Sequence, residues 1–220
     1  MNLSFAGAGP VRPPQQARSV ASMNRILDVA SALLAEGGWD AFTIAEISRR
    51  ADVSVGVIYQ RFGDKGGLFA AVHDAHLAQF EARARRAFDY DAWPADMESR
   101  ALVHGVVEQL GMIFEDLGAL NGVMIINSNK VPGLSEKGAD VMADLRRQVT
   151  DLIRSRSCDM PRDHADVAVE ICFRLAFSTF MDFSTFSRYQ VQWQEMSWHR
   201  LISEVADACT IYLFSPQPAP

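Results

Sequence analysis

Long hydrophobic runs are missing from this 220-residue chain. No stretch approaches the roughly eighteen uninterrupted apolar residues of a membrane-spanning helix, so no membrane span is expected. Cysteine is scarce. Cys158, Cys172 and Cys209 are an odd number without C-x-x-C spacing or flanking histidines. That argues against a disulfide framework and a zinc motif, and suits structural thiols in a reducing cytoplasm. The Gly-rich phosphate loop and the nucleophile elbow are both absent, so neither nucleotide hydrolysis nor nucleophilic catalysis has its usual signature. No catalytic residue and no cofactor is therefore expected. His73 and His76 at i, i+3, and His104 and Glu108 at i, i+4, have spacings that can hold a metal, but each pair lacks a third ligand and no metal site is expected. Basic residues are also in deficit, with 21 Lys and Arg against 27 Asp and Glu, a net charge of −6. Taken alone, that speaks against nucleic acid.

The distribution of charge says otherwise. Residues 1–65 hold seven basic and six acidic side chains, whereas the remainder holds fourteen and twenty-one. A near-neutral head on an acidic body suits a DNA-binding domain followed by one that does not touch DNA. No period-two alternation persists, and the apolar residues recur at helical spacing, so the chain is expected to be all-α.

Residues 1–17 are rich in Gly and Pro and read as a disordered arm, not a signal peptide. A first helix is predicted from Ser22 to Glu36, stopped by Gly37-Gly38, with Trp39 and Phe42 filling the joint after it. Asp64 caps a helix predicted from Lys65 to about Tyr90. Pro94 fits the first turn of another, reaching Leu117. Gly118, Asn121-Gly122 and Pro132-Gly133 punctuate the middle of the chain. Further helices are predicted over Ser135–Arg156, Pro161 to about Tyr189, and Ser197–Phe214, before a proline-rich tail at 215–220.

The most informative segment is Thr43 to Phe62. Thr43 and Glu46 have the spacing of a capping box, and Ile44, Ala45, Ile47 and Ala51 form an apolar stripe. Asp52-Val53-Ser54 supplies a turn, in which Asp52 tolerates the left-handed conformation and Ser54 caps the next helix, with Ile58 inward. Two short helices joined in this way make a helix-turn-helix. With Phe62, Lys65, Leu68 and Phe69 continuing the pattern, the segment resembles the N-terminal DNA-binding domain of the TetR family of bacterial transcriptional regulators. The resemblance covers roughly the first third of the chain. Departures are Ser48 for alanine, Asp52 for glycine, Val55 and Val57 for polar or small residues, and Gly66-Gly67 for stronger helix formers.

The resemblance implies a cytoplasmic homodimeric regulator, most simply a repressor released from operator DNA by a small hydrophobic effector; the alternatives are an activator or effector-independent regulator of the same fold, or a helical protein that has lost DNA binding. It implies a DNA-binding domain at 18–65 and a helical effector-binding and dimerisation domain at 66–214. Thr43, Ser54, Gly56, Tyr59, Gln60 and Lys65 match family positions that meet DNA. Hydroxyls and helix N-terminal amides hold phosphates, Gly56 permits close approach, and Gln60 has the bidentate pattern that reads adenine. Thr43 and Ser54 equally serve as caps, Tyr59 as core, and Val55 and Val57 either touch thymine methyls or face solvent. For the effector, a neutral or cationic hydrophobic molecule, the resemblance and the Met- and aromatic-rich composition point to Trp93, Met97, Phe114, Met124, Met142, Phe173, Phe177 and Met181, with Glu108, Asp182 or Arg174 orienting a polar end. For the dimer they point to Phe180, Phe183, Leu201, Val205 and Leu213 in the last two helices. Arg174 and Asp182 need partners if buried.

Overall fold

The computed structural model describes residues 15–156, 160, 165–186 and 196–215. Every regular element among them is helical, as the periodicity predicts. The chain divides between Phe69 and Ala70 into two compact units.

The first unit is built from α1 (Gln15–Ala41), α2 (Ile44–Ala51), α3 (Val55–Phe62) and the first turn of α4 (Lys65–Ala87). Helix α1 begins earlier than the composition suggested, so residues 15–17 of the expected arm are helical, while 1–14 lie outside the described residues. Nor does the chain stop at Gly37-Gly38. Gly38 leaves helical geometry at φ 64°, ψ −152°, which only glycine adopts cheaply, and the helix resumes to Ala41. The glycine pair is a kink. Ile26, Ala30, Leu33 and Leu34 of α1 are buried, as are Ile47, Ala51 and Ile58 of the short helices, and α2 packs against both α1 and α3. Trp39, Phe42 and Phe69 close this core, with Phe69 edge-on to Trp39 at 5.1 Å and to Phe42 at 6.1 Å. Because Leu68 and Phe69 are fully buried there, the unit ends four residues beyond the boundary expected at Lys65. Gly67 is explained by close approach, since a Cβ there would meet the Phe62 carbonyl oxygen.

In the second unit, α4 ends at Ala87 and a 3₁₀ turn (Tyr90–Ala92) follows. Pro94 stands outside the next helix, α5 (Ser99–Ser128). That helix runs on through Gly118 and Asn121-Gly122, where the sequence reading placed breaks. It changes direction by 76° between Ser99–Gly118 and Leu120–Ser128. The glycines are there for proximity. A Cβ on Gly118 would lie 3.1 Å from Ser184 Cβ, and one on Gly122 would lie 2.9 Å from Thr185 Cα. Both neighbours belong to α7 (Ala165–Phe186), which packs against α5 together with α6 (Leu134–Arg156) and α8 (Trp198–Phe214). Helix α6 matches its predicted span to one residue, and Ser197 caps α8 by accepting the Arg200 N–H at 3.2 Å. For α7, residues 161–164 and 187–189 of the predicted span lie outside the described residues.

Phe114 sits at the centre of this second core, edge-on to Phe80 at 5.5 Å and to Phe177 at 5.6 Å. Each fully buried side chain of this size contributes about 1.5–3 kcal/mol. Cys172 and Cys209 are buried thiols, each with its Sγ 3.7 Å from the other's carbonyl oxygen, and Cys158 lies outside the described residues. Among the described residues no single helix is long and apolar enough to cross a membrane, and no group of three or more His, Cys, Asp or Glu is placed to hold a metal.

Candidate functional site

The helix-turn-helix is assembled by local bonds. Thr43 Oγ1 accepts the Glu46 N–H at 3.2 Å, starting α2. The return half of the expected capping box is not made. Thr43 N–H donates to the Ala41 carbonyl at 2.9 Å, and the Glu46 carboxylate instead takes Arg49 at 2.6 Å and Arg50 at 2.7 Å. Those guanidinium hydrogen bonds, Arg49's first, hold the Glu46 pKa down to about 2. Asp52 then adopts φ 52°, ψ 53°, the left-handed conformation its position requires, and its N–H bonds the Ser48 carbonyl. Ser48 bonds forward across the turn: its hydroxyl donates to the Val53 carbonyl at 2.6 Å, and its own carbonyl also accepts the Val53 N–H at 3.2 Å. Ser54 Oγ accepts the Val57 N–H at 3.3 Å and opens α3.

Helix α3 presents a distinct outer face. Ile58 is buried and Val57 half-buried, whereas Val55, Gly56, Tyr59 and Gln60 are exposed, Tyr59 to 49%. Tyr59 is therefore not a core residue, and Thr43 and Ser54 are both caps and exposed. The helix is braced at its far end: Arg61 donates to Ser19 O at 2.9 Å and to Ser19 Oγ at 3.1 Å. Arg50 similarly ties α2 to Glu36 of α1 at 2.8 Å. Sequence reasoning gave these arginines no role. The Glu46–Arg49–Arg50 spacing was legible as helix-neighbour pairing, but nothing in the sequence links Arg61 to a serine 42 positions away.

Lys65 differs from the simple expectation of a phosphate-seeking point charge. Its ammonium donates to the Trp39 carbonyl at 3.1 Å and lies 4.2 Å from the centre of the Trp39 ring. The side chain fastens the start of α4 to the end of α1.

The second unit contains a cavity of about 350 Å³ between α4, α5, α6 and α7. His73, His76, Leu77 and Phe80 line it from α4, and Asn121, Met124, Ile125 and Ser128 from α5. Leu134, Ser135, Gly138, Ala139 and Met142 of α6, Asn129 and Met181 complete the wall. Burial lowers the pKa of both histidines. His76 Nε2 is 2.8 Å from Asn121 Oδ1, so the Nε2–H tautomer donates to the amide oxygen.

Of the residues expected at an effector pocket, only Met124, Met142 and Met181 lie on this wall. Phe114 and Phe173 are buried in the core with Phe177 stacked on Phe173 at 5.5 Å, and Met97 packs against the same core. The Trp93 indole donates to the Ala87 carbonyl at 2.9 Å. Glu108 faces His104 at 3.4 Å, which also meets Asp207 at 3.2 Å. Arg174 and Asp182 are exposed, with Arg174 3.8 Å from Glu170, so neither is a buried polar group needing rescue. Of the residues expected at a dimer interface, Phe180, Phe183, Leu201 and Leu213 are buried in the protomer's own core and Val205, half-buried, packs against it. Burial against the protomer's own helices claims the most apolar face first. The exposed apolar side chains of these helices are Val167, Ile171, Leu175 and Phe186 on α7 and Ile211 on α8.

Comparison with known proteins agrees with the head. The family model of bacterial regulatory proteins of the tetR family matches residues 26–72. The transcriptional repressor KstR of Mycolicibacterium smegmatis is 33% identical over 63 residues, 29% of this chain and 31% of that protein, so the match spans about a third of the relative's length. A regulatory protein of the tetR family from Rhodococcus RHA1 superposes with a TM-score of 0.63 at 19% identity, over 87% of this chain and 96% of its own. The Bacillus subtilis transcriptional regulator FadR, solved in complex with stearoyl-CoA, superposes at 0.58 with 16% identity, over 89% and 100%. At those identities the likeness is one of fold.

Proposed function

We propose, from the premise that residues 26–72 make this chain a member of the TetR family of bacterial regulatory proteins, that it is a sequence-specific DNA-binding transcriptional repressor released by a small apolar effector. The observation that carries the reading is the outer face of α3. A capped helix held after a left-handed Asp52 turn presents Val55, Gly56, Tyr59 and Gln60 to solvent. This is the geometry that lays a recognition helix in the major groove, with hydroxyls and the α3 N-terminus on phosphates and Gln60 on a base edge. The chain acts as a homodimer in this proposal, its heads reading half-sites about one helical turn apart, ~34 Å, or a small multiple. The exposed α7 and α8 side chains Val167, Ile171, Leu175 and Ile211 supply the apolar part of that interface.

The cavity is the effector site in this reading, and the FadR complex supports a ligand-binding body on the same fold. Its α4 wall belongs to the helix that begins at Lys65, so an effector that binds differently in two arrangements of α4 shifts the population of DNA-competent dimers. No catalytic step is assigned. The test is selection of bound genomic fragments, followed by gel-shift titration of the enriched sequence against a scrambled one. Sequence-selective binding lost on Gln60→Ala is the expected result. Equal affinity for enriched and scrambled duplexes defeats the proposal.

A further inference from the structure

The polarity of the cavity wall narrows the ligand further, an inference that rests on the reading of this cavity as the effector site. None of the fifteen lining residues is an aspartate, glutamate, lysine or arginine. Leu77, Phe80, Met124, Leu134, Met142 and Met181 make most of the surface apolar. The buried polar lining residues are His73 and His76 of α4 with Asn121 of α5, and Ser128 at the far end of α5. Asn121 is only 6% exposed. Its Oδ1 accepts from His76, which leaves the amide Nδ2 a buried donor with no partner among the described residues. A buried donor without an acceptor is costly, and a ligand atom that supplies one gains what the empty wall forgoes. An ion entering the same space loses its hydration and meets no opposite charge.

We propose that this cavity selects compact, uncharged apolar molecules carrying a hydrogen-bond acceptor, such as a ketone, ester or alcohol oxygen, which the Asn121 amide receives. Carboxylates, phosphates and ammonium ions are discriminated against. The volume sits at the small end of small-molecule sites, which favours ligands of medium chain length over large ring systems. The Met142 and Met181 thioethers give the apolar part room to adapt to chain shape.

The test is calorimetric titration of the full chain, without DNA, at pH 7.5 with four eight-carbon probes: 2-octanone, 2-octanol, octanoate and octylamine. The ketone and alcohol should bind saturably and the two ions at least tenfold more weakly. Asn121→Leu should weaken the ketone by about tenfold. Met142→Trp, which fills the cavity from α6, should abolish binding of every probe while circular dichroism stays native. Octanoate or octylamine binding as tightly as the ketone overturns the inference, as does no saturable binding of either uncharged probe, or ketone affinity unchanged in Asn121→Leu. A gel shift with the same probes is read separately. Probes that bind as expected but leave DNA affinity unchanged uphold the cavity chemistry and reject the regulatory reading.

Discussion

Gln60 and Lys65 stand five residues apart, yet the structure gives them opposite characters. Gln60 is exposed on α3, and the sequence motif alone suggested its task. Gln60→Ala should cost ~1–3 kcal/mol of discrimination at one base position if the contact is bidentate, measured by gel shift against operator variants. Equal loss on every sequence would show that it reads no base. Lys65 was legible as a motif residue, but its geometry was not, because the partner that claims its ammonium is the carbonyl of Trp39, 26 positions earlier. Lys65→Met keeps the aliphatic stem and removes the charge. A lost phosphate contact lowers the salt dependence of DNA binding by about one unit of slope per contact. The Trp39 contacts favour the other outcome, an unchanged slope with weaker binding to all sequences and a head destabilised by about 1 kcal/mol. Polar partnerships at long separation, such as Arg61 with Ser19 and His76 with Asn121, leave no trace in a single sequence.

At the scale of elements, helix interiors were readable and their limits were not. Apolar spacing located α2, α3, α6 and α8 nearly to the residue because each has an amphipathic face or a side-chain cap. Helix α5 failed the same reading because Gly118 and Gly122 look like punctuation, although they mark where α7 approaches. Phe180, Phe183, Leu201 and Leu213 were read as interface residues and lie in the protomer's own core for a related reason: periodicity finds the apolar face of a helix but not which neighbour covers it. Phe180 or Leu213 replaced by a charge should therefore unfold the body. Leu175→Glu, on the exposed stripe, should leave helicity intact and give monomers by light scattering, with operator binding lost. A dimer that survives Leu175→Glu together with Ile171→Glu would place the interface elsewhere. In the turn, Ser48→Ala removes the bond to the Val53 carbonyl and should cost about 1 kcal/mol. Faster hydrogen exchange confined to the amides of α2 and α3 is the readout.

For the whole molecule, the buried histidines set a pH dependence. Burial lowers the pKa of His73 and His76 from the usual 6.5, with Asp74 opposing the shift at His73 and Lys137 adding to it. The unfolded chain then binds more protons than the native one, so this contribution to stability is complete above pH ~6.5 and declines as the pH falls below it. The melting temperature should drop between pH 7.5 and 5, and less steeply in His76→Gln. Equal slopes for the two proteins would show that His76 carries no part of it. Gly138 illustrates a compromise of a different kind. It lies within α6, on the cavity wall, and a Cβ there would meet nothing within 4 Å. Alanine at that position should raise helix stability by roughly 0.5–1 kcal/mol without a clash. The added methyl group would stand on the wall of the space a ligand would need. A laboratory selection for heat resistance alone should therefore enrich Gly138→Ala, and the survivors should be more durable proteins that sense their signal less well.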